Sequence, residues 1–414
     1  MRCSLPPIGL AREEIFTRMK GFAAGDIDWR RGRVPLYVFK ASDDIATIGL
    51  DAYVEFFTEN GLGGKRAFHG LKRMEDEIVA IGLSLFHAPD GAAGYLTTGG
   101  TESIIAAVKA CRDSIRQKEG SAQRRGNIVM PYSAHPAFTK AARLMDLEIR
   151  RVAVGADFRA DVPAMAKAID AETLMLVGSA PCFPYGTMDP IEALGHLGQE
   201  RRVWLHVDAC VGGYLAPFVA MAGHPVPPFD FALPGVASLS ADLHKFGFCP
   251  KPASTVFYRS EAQAAFQPFE VDDWPGGRFA TATLVGTRPG GAIAGAWATL
   301  HAMGEKGYVD TARAIMEAVA RYRRGIEAIG LSIVGSPELS ILCFTSQHVD
   351  MLAVGEAMAQ RGWLPGLVRE PRAMHLMLSM LHEPACDDYL RDLRECVAYI
   401  KENDQSAAAS TANY

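Results

Sequence analysis

Lys245 lies in Ser238-Leu-Ser-Ala-Asp-Leu-His-Lys-Phe-Gly-Phe, among small, apolar and aromatic residues rather than in a charged surface run. Desolvation in such a setting lowers an amine's pKa and leaves a neutral nucleophile able to attack a carbonyl. A lysine snorkelling from a strand end is the other reading. Upstream, Arg202-Val-Trp-Leu-His-Val-Asp is an apolar run that ends in an acid. It reads as a buried strand of a parallel sheet, which puts Asp208 at the carboxyl end, where open α/β sheets place their ligands. A buried acid there needs a partner, either a cofactor's ring nitrogen or a helix N-terminus. Earlier still, Tyr95-Leu-Thr-Thr-Gly-Gly-Thr-Glu-Ser runs directly into the helical Ile104-Ile-Ala-Ala-Val-Lys-Ala-Cys-Arg. Gly99 and Gly100 admit close backbone approach, and Thr101 adds a hydroxyl at the helix start. Free amides and the helix dipole make this an anion cradle. Cradle, acid and amine are the three protein groups that pyridoxal phosphate requires.

Longer stretches around these residues carry a resemblance. Thr98-Gly-Gly-Thr-Glu-Ser-Ile, His206-Val-Asp-Ala-Cys-Val-Gly-Gly-Tyr-Leu and Ser240-Ala-Asp-Leu-His-Lys-Phe-Gly-Phe-Cys-Pro-Lys resemble the group II pyridoxal-phosphate-dependent decarboxylase superfamily. Within it they look most like the sphingosine-1-phosphate lyase branch in its bacterial form. Pro131-Tyr-Ser-Ala-His-Pro-Ala-Phe-Thr-Lys-Ala-Ala, Asp273-Trp-Pro-Gly-Gly-Arg-Phe-Ala and Gly286-Thr-Arg-Pro-Gly-Gly extend the likeness from about Gly70 to about Met380. The resemblance implies an α/β fold-type-I enzyme, aspartate aminotransferase-like. Its large domain would hold a mainly parallel seven-stranded sheet, followed by a small C-terminal α+β domain. It also implies a homodimer with active sites at the subunit interface. By the same resemblance Lys245 is the Schiff-base lysine that later moves protons, and Asp208 keeps the pyridine nitrogen protonated. Gly100, Thr101 and His244 would hold the cofactor phosphate, with His135 stacked on the ring. A capping or surface histidine is the alternative for His135. Ser240 and Asp242 read as supports of the lysine loop.

The reaction is open to two outcomes on this scaffold, decarboxylation or retro-aldol cleavage, and the anchoring of the substrate decides which bond aligns for scission. Lys251 matches a family lysine that grips the substrate phosphate, with a solvated loop lysine as the alternative. Arg288 offers a bidentate carboxylate clamp or a structural role. Lyases carry Asn-Pro-Leu-His where this chain has Asn60-Gly-Leu-Gly-Gly-Lys-Arg-Ala-Phe-His, so Gly64 stands at the position of a phosphate-contacting histidine. Lys65, Arg66 and His69 are the basic neighbours able to replace it. Tyr37 and Phe39 are the two equivalents of an upstream substrate tyrosine. The expected function is cleavage of a phosphorylated long-chain amino alcohol, of the sphingosine-1-phosphate kind, to an aldehyde and phosphoethanolamine. An L-amino-acid decarboxylase is the alternative, and a catalytically silent cofactor-binding protein is the third reading.

The elements that must position these residues follow from pattern. Asn127-Ile-Val-Met, Leu147-Glu-Ile-Arg-Arg-Val, Thr173-Leu-Met-Leu-Val-Gly and Val203-Trp-Leu-His-Val read as strands, with helical stretches at 134–145, 163–169 and 190–200 between them. Such alternation predicts a parallel sheet covered on both faces. Helices at 292–303 and 308–329 lead to a smaller domain, with strands at 339–345 and 373–379 and a closing helix at 387–402. The expected division is an N-terminal arm at 1–60, a large cofactor-binding domain at 61–300, a small domain at 301–403 and a frayed tail at 404–414. A chain of 414 residues with 49% hydrophobic content can bury a large core, and its net charge of −5 gives no reason to expect nucleic acid. The eight cysteines show no metal spacing and read as reduced, packed thiols of a cytoplasmic protein. No stretch approaches the ~18 apolar residues of a membrane span.

Overall fold

The computed structural model describes residues 4–120, 125–403 and 405–407. Its centre is a seven-stranded sheet: β1 (Ala93–Thr97), β2 (Asn127–Pro131), β3 (Glu148–Val152), β4 (Thr173–Ser179), β5 (Trp204–Asp208), β6 (Val236–Ala241) and β7 (Ser254–Tyr258). The spatial order is β1-β7-β6-β5-β4-β2-β3, and β7 runs antiparallel to both of its neighbours. Every residue of β2, β4, β5 and β7 is buried, as the apolar runs of a doubly covered parallel sheet require. Ile128, Met130, Val177 and Trp204 pack on one face with the helix Gly100–Glu119, through Ile104 and Val108. Leu176, Leu205, Val207 and Leu239 pack on the other, with Phe86 and Ile191.

Register aligns the carboxyl ends. Ser179 pairs with Asp208, and Asp208 with Ser240, so the ends of β4, β5 and β6 stand in one row. The end of β1 joins that row through Thr97, paired with Ser254 at the start of β7. The loop that follows each of these strands therefore opens on the same edge of the sheet.

The long helix Gly290–Ala328 leaves helical geometry at Gly304 (φ 56°), which accounts for the two separate helical runs read from the sequence. Beyond it lies an antiparallel four-stranded sheet, ordered Ser332–Ile333, Ile341–Thr345, Ala373–Met377 and Gly366–Val368, packed against the helices Met351–Gln360 and Gly290–Ala328, with Cys386–Glu402 against both helices. Of the expected frayed tail, residue 404 and residues 408–414 lie outside the described residues. The part between them is tied down instead: the Ala407 amide donates to Asp350 Oδ2 at 2.9 Å. No helix among the described residues is long and apolar enough to cross a membrane.

Two buried histidines give this core a pH dependence. Burial holds both His206 and His375 down at about 4 from the usual 6.5. The folded chain keeps them neutral while the unfolded chain takes up protons below pH 6.5. Stability should therefore be intact above about pH 6.5 and fall by a few kcal/mol in total as the pH drops towards 4. Urea unfolding across that window checks this, and His375→Gln should flatten the fall. A stability that is level between pH 7 and 4.5 would contradict it.

Candidate active site

A cavity of about 680 Å³ opens at the aligned strand ends. The structure brings Gly100, Thr101, His135, Asp208, His244, Lys245 and Lys251 together in its lining, although they come from four separate stretches of sequence.

Asp208 ends β5 and is 7% exposed. Its Oδ1 accepts from the Cys210 amide at 3.0 Å, which fixes the carboxylate at the mouth of the strand. Two residues earlier on the strand, His206 bonds Ser238 Oγ at 2.8 Å and Ser240 Oγ at 3.2 Å, clamping β5 to β6 beneath the acid. Lys245 sits on the turn after β6, with Nζ 3.0 Å from Asp242 Oδ2. Here the structure corrects the expectation of a depressed amine pKa. Burial does oppose the charge, but the buried Asp242 carboxylate, with smaller contributions from neighbours that include Asp208, more than offsets it and the pKa is raised. Asp242 itself is held below the ordinary carboxylate range, its burial being outweighed by Lys245 and His244. Asp242 is thus the group that favours the charged form of Lys245.

The cradle is built around the same acid. A Cβ on Gly100 would come within 2.7 Å of Cys210 Sγ and 2.8 Å of both Asp242 carboxylate oxygens, so no side chain fits there. Glu102, buried in the first turn, accepts from the Thr98 amide and hydroxyl, each at 2.6 Å, and from the Leu284 amide at 2.7 Å. Sequence reasoning passed over Glu102. Its place four residues after Thr98 on a helix start was the available signal. His244 accepts from the Ala253 amide through Nδ1 at 3.2 Å, leaving Nε2 to carry the proton of a neutral ring. His135 does the same, with the Ala137 amide on Nδ1 at 3.2 Å. Its surroundings lower its pKa by desolvation, against the pull of Asp208.

The other expected residues divide between the cavity and positions outside it. Tyr37 and Phe39 both line the cavity, Tyr37 half open to solvent and Phe39 packed edge-on to Phe246 at 5.0 Å. Lys251 lines it too, and desolvation lowers its pKa. Lys65, Arg66 and His69 are exposed and outside the cavity lining, as is the buried Gly64. Arg288 does hold a carboxylate bidentately, but the carboxylate is that of Glu75. Its backbone also bonds Gly61 at 2.8 Å, so Arg288 pins the segment around residue 60 and is unavailable as a substrate clamp.

An anionic, planar guest fits this donor set. The helix start at Gly100–Thr101 and His244 offer hydrogen-bond donors to a phosphate. Asp208 offers an acceptor to a ring N–H, and Lys245 an amine. Asp242 Oδ1, buried and without a hydrogen-bond partner, marks where polar groups have yet to be satisfied. Fold and pocket together define a fold-type-I enzyme whose cofactor is pyridoxal phosphate.

Comparison with known proteins narrows this. Residues 72–347 match the family described as the pyridoxal-dependent decarboxylase conserved domain. The chain is 41% identical over 342 residues to a sphingosine-1-phosphate lyase of Arabidopsis thaliana, covering 81% of this chain and 62% of that protein. It is 36% identical over 412 residues to the Oryza sativa sphingosine-1-phosphate lyase, covering 97% of this chain and 76% of the rice protein. A solved Burkholderia pseudomallei sphingosine-1-phosphate lyase superposes with a TM-score of 0.92 at 35% identity, over 98% of this chain and 94% of that one. The chain belongs to the pyridoxal-dependent decarboxylase family, in its sphingosine-1-phosphate lyase branch.

Proposed function

We propose that this protein cleaves a phosphorylated long-chain amino alcohol of the sphingosine-1-phosphate type, releasing a fatty aldehyde and phosphoethanolamine. The observation that carries the reading is the convergence of Lys245, Asp208 and Lys251 on one cavity with no arginine in its described lining, Arg288 being committed to Glu75. Such a pocket suits a phosphate better than a carboxylate.

Pyridoxal phosphate, when bound, supplies an electron sink for the bond broken at the amine-bearing carbon. Gly100, Thr101 and His244 would hold its phosphate, and His135 would hold its ring. Asp208 keeps the proton on the ring nitrogen. Lys245 Nζ would be the amine that holds the group and, in the same cavity, would serve to move protons. Asp242 sets the charge on that amine, a stronger role than support of the loop. Lys251 grips the substrate phosphate.

Lys251→Ala is expected to raise KM for the phosphorylated substrate by about ten- to a hundredfold, the worth of a charge-assisted contact, with a smaller change in kcat. Arg288→Ala should leave KM within about twofold but lower Tm by several degrees, because Glu75 loses its partner while only 15% exposed. Steady-state kinetics and thermal melting of both variants check this. The reverse pattern, a mild Lys251→Ala and an Arg288→Ala that abolishes substrate binding, would favour the decarboxylase.

The working unit in this reading is a homodimer with shared sites, in the cytoplasm. Three features support it. The helix Arg12–Phe22 buries none of its residues, and Phe22 is 85% exposed. Leu284 and Val285 line the cavity yet are largely exposed, a wall with one side open. The seven described cysteines are buried and unpaired, as in a reducing compartment. Lys65 and Arg66, outside the cavity of one chain, enter the chemistry only across such a boundary. Sedimentation should find a dimer, and Phe16→Glu with Phe22→Glu should shift it towards monomer and lower turnover. A fully active monomeric wild type would refute the shared site.

A further inference from the structure

A second cavity, of about 510 Å³, adjoins the catalytic one and shares two of its walls, His135 and Phe183. Tyr132, Tyr185, Leu367 and Val368 are among its other apolar walls, from the strand-end loops on one side and the strand Gly366–Val368 on the other. Several polar groups of the lining are engaged, while Ser133 Oγ is buried without a hydrogen-bond partner and Arg369 and Glu370 also line the cleft. Tyr185 Oη donates to the Glu370 carbonyl at 2.7 Å, and His375 Nδ1 bonds the Pro184 carbonyl at 3.1 Å. The Arg151 guanidinium, at the rim, donates to Thr139 Oγ1 at 2.7 Å and to the Tyr132 carbonyl at 3.4 Å. What the cleft offers a guest is apolar area, at a volume ordinary for a ligand site of about 300–1,000 Å³.

We propose that this cleft takes the hydrocarbon tail of the substrate while the amine and phosphate lie in the catalytic pocket. The inference rests on the long-chain reading of function above. His135 stands at the wall where the reacting carbons must lie. A substrate seated there has its continuation directed past Phe183 into a mainly apolar space that rewards burial of methylenes. The cleft then sets chain-length preference, while the pocket sets head-group chemistry.

Two variants test this on the cofactor-loaded protein. Leu367→Trp fills the cleft. Tyr132→Asp places a charge on its wall at a site 50% exposed, where the fold tolerates it. Wild type should prefer long-chain over short-chain phosphorylated amino alcohols. Each variant should lower kcat/KM for the long-chain substrate by about tenfold or more and leave the short-chain value within about twofold. Binding of a long-chain and a short-chain alkyl phosphate, measured by calorimetry, gives a readout that needs no turnover, and the same preference should appear and be lost. If both variants keep the wild-type preference in cleavage and in binding, the tail lies elsewhere and the inference falls while the lyase reading stands. If no phosphorylated amino alcohol is cleaved but the alkyl phosphate preference appears and is lost in both variants, the cleft stands and the lyase reading falls. If there is neither cleavage nor binding, both fall.

Discussion

Lys245→Ala is expected to reduce turnover by roughly ten-thousandfold or more while leaving the fold and part of the cofactor affinity in place. The geometry separates the two effects. Nζ lies 3.0 Å from Asp242 and makes the covalent attachment in the proposed chemistry, whereas the cradle at Gly100–Thr101, His244 and Asp208 acts on other parts of the cofactor. Loss of Nζ also leaves Asp242, only 3% exposed, without its strongest counter-charge. A modest drop in Tm should accompany the loss of activity, and Asp242→Asn in the same background should recover part of it. Borohydride reduction of the yellow wild type should fix the cofactor to the peptide that contains Lys245. Near-wild-type turnover in Lys245→Ala, or the label on another lysine, would move the chemistry elsewhere.

Asp208→Asn should lower kcat by roughly a hundred- to a thousandfold, with cofactor occupancy little changed. The amide keeps the shape and can still accept from the Cys210 amide, the hydrogen bond that orients this side chain. What it loses is the negative charge that holds a proton on the ring nitrogen and so stabilises charge flowing into the ring. Absorbance per subunit reports occupancy, and single-turnover rates report the step. An apoprotein that regains full activity per bound cofactor would assign Asp208 to retention of the cofactor instead.

Legibility differed from element to element for physical reasons. The runs at Asn127, Thr173 and Trp204 announce themselves as strands because a doubly covered parallel strand needs apolar residues on both faces. β6 is Val-Ala-Ser-Leu-Ser-Ala, whose serines bond His206 and Trp204 across the sheet, and so it lacks that signature. The pocket residues were legible one stretch at a time. Their convergence depends on the register of Ser179, Asp208 and Ser240, a tertiary property that no single stretch contains. The protonation of Lys245 was misread for the same reason. Desolvation follows from local composition, but the compensating carboxylate of Asp242 counts only once the turn after β6 brings it within 3.0 Å. Arg288 is the complementary case: its motif showed a guanidinium able to hold a carboxylate, and folding supplied one in Glu75, 213 residues away in sequence.

The most direct test offers purified, cofactor-loaded protein sphingosine-1-phosphate and, separately, a panel of L-amino acids, and identifies the products. The account predicts a long-chain aldehyde and phosphoethanolamine in equal amounts from the first and no carbon dioxide from the second. Carbon dioxide from an amino acid, with no aldehyde from the phosphorylated amine, would contradict it.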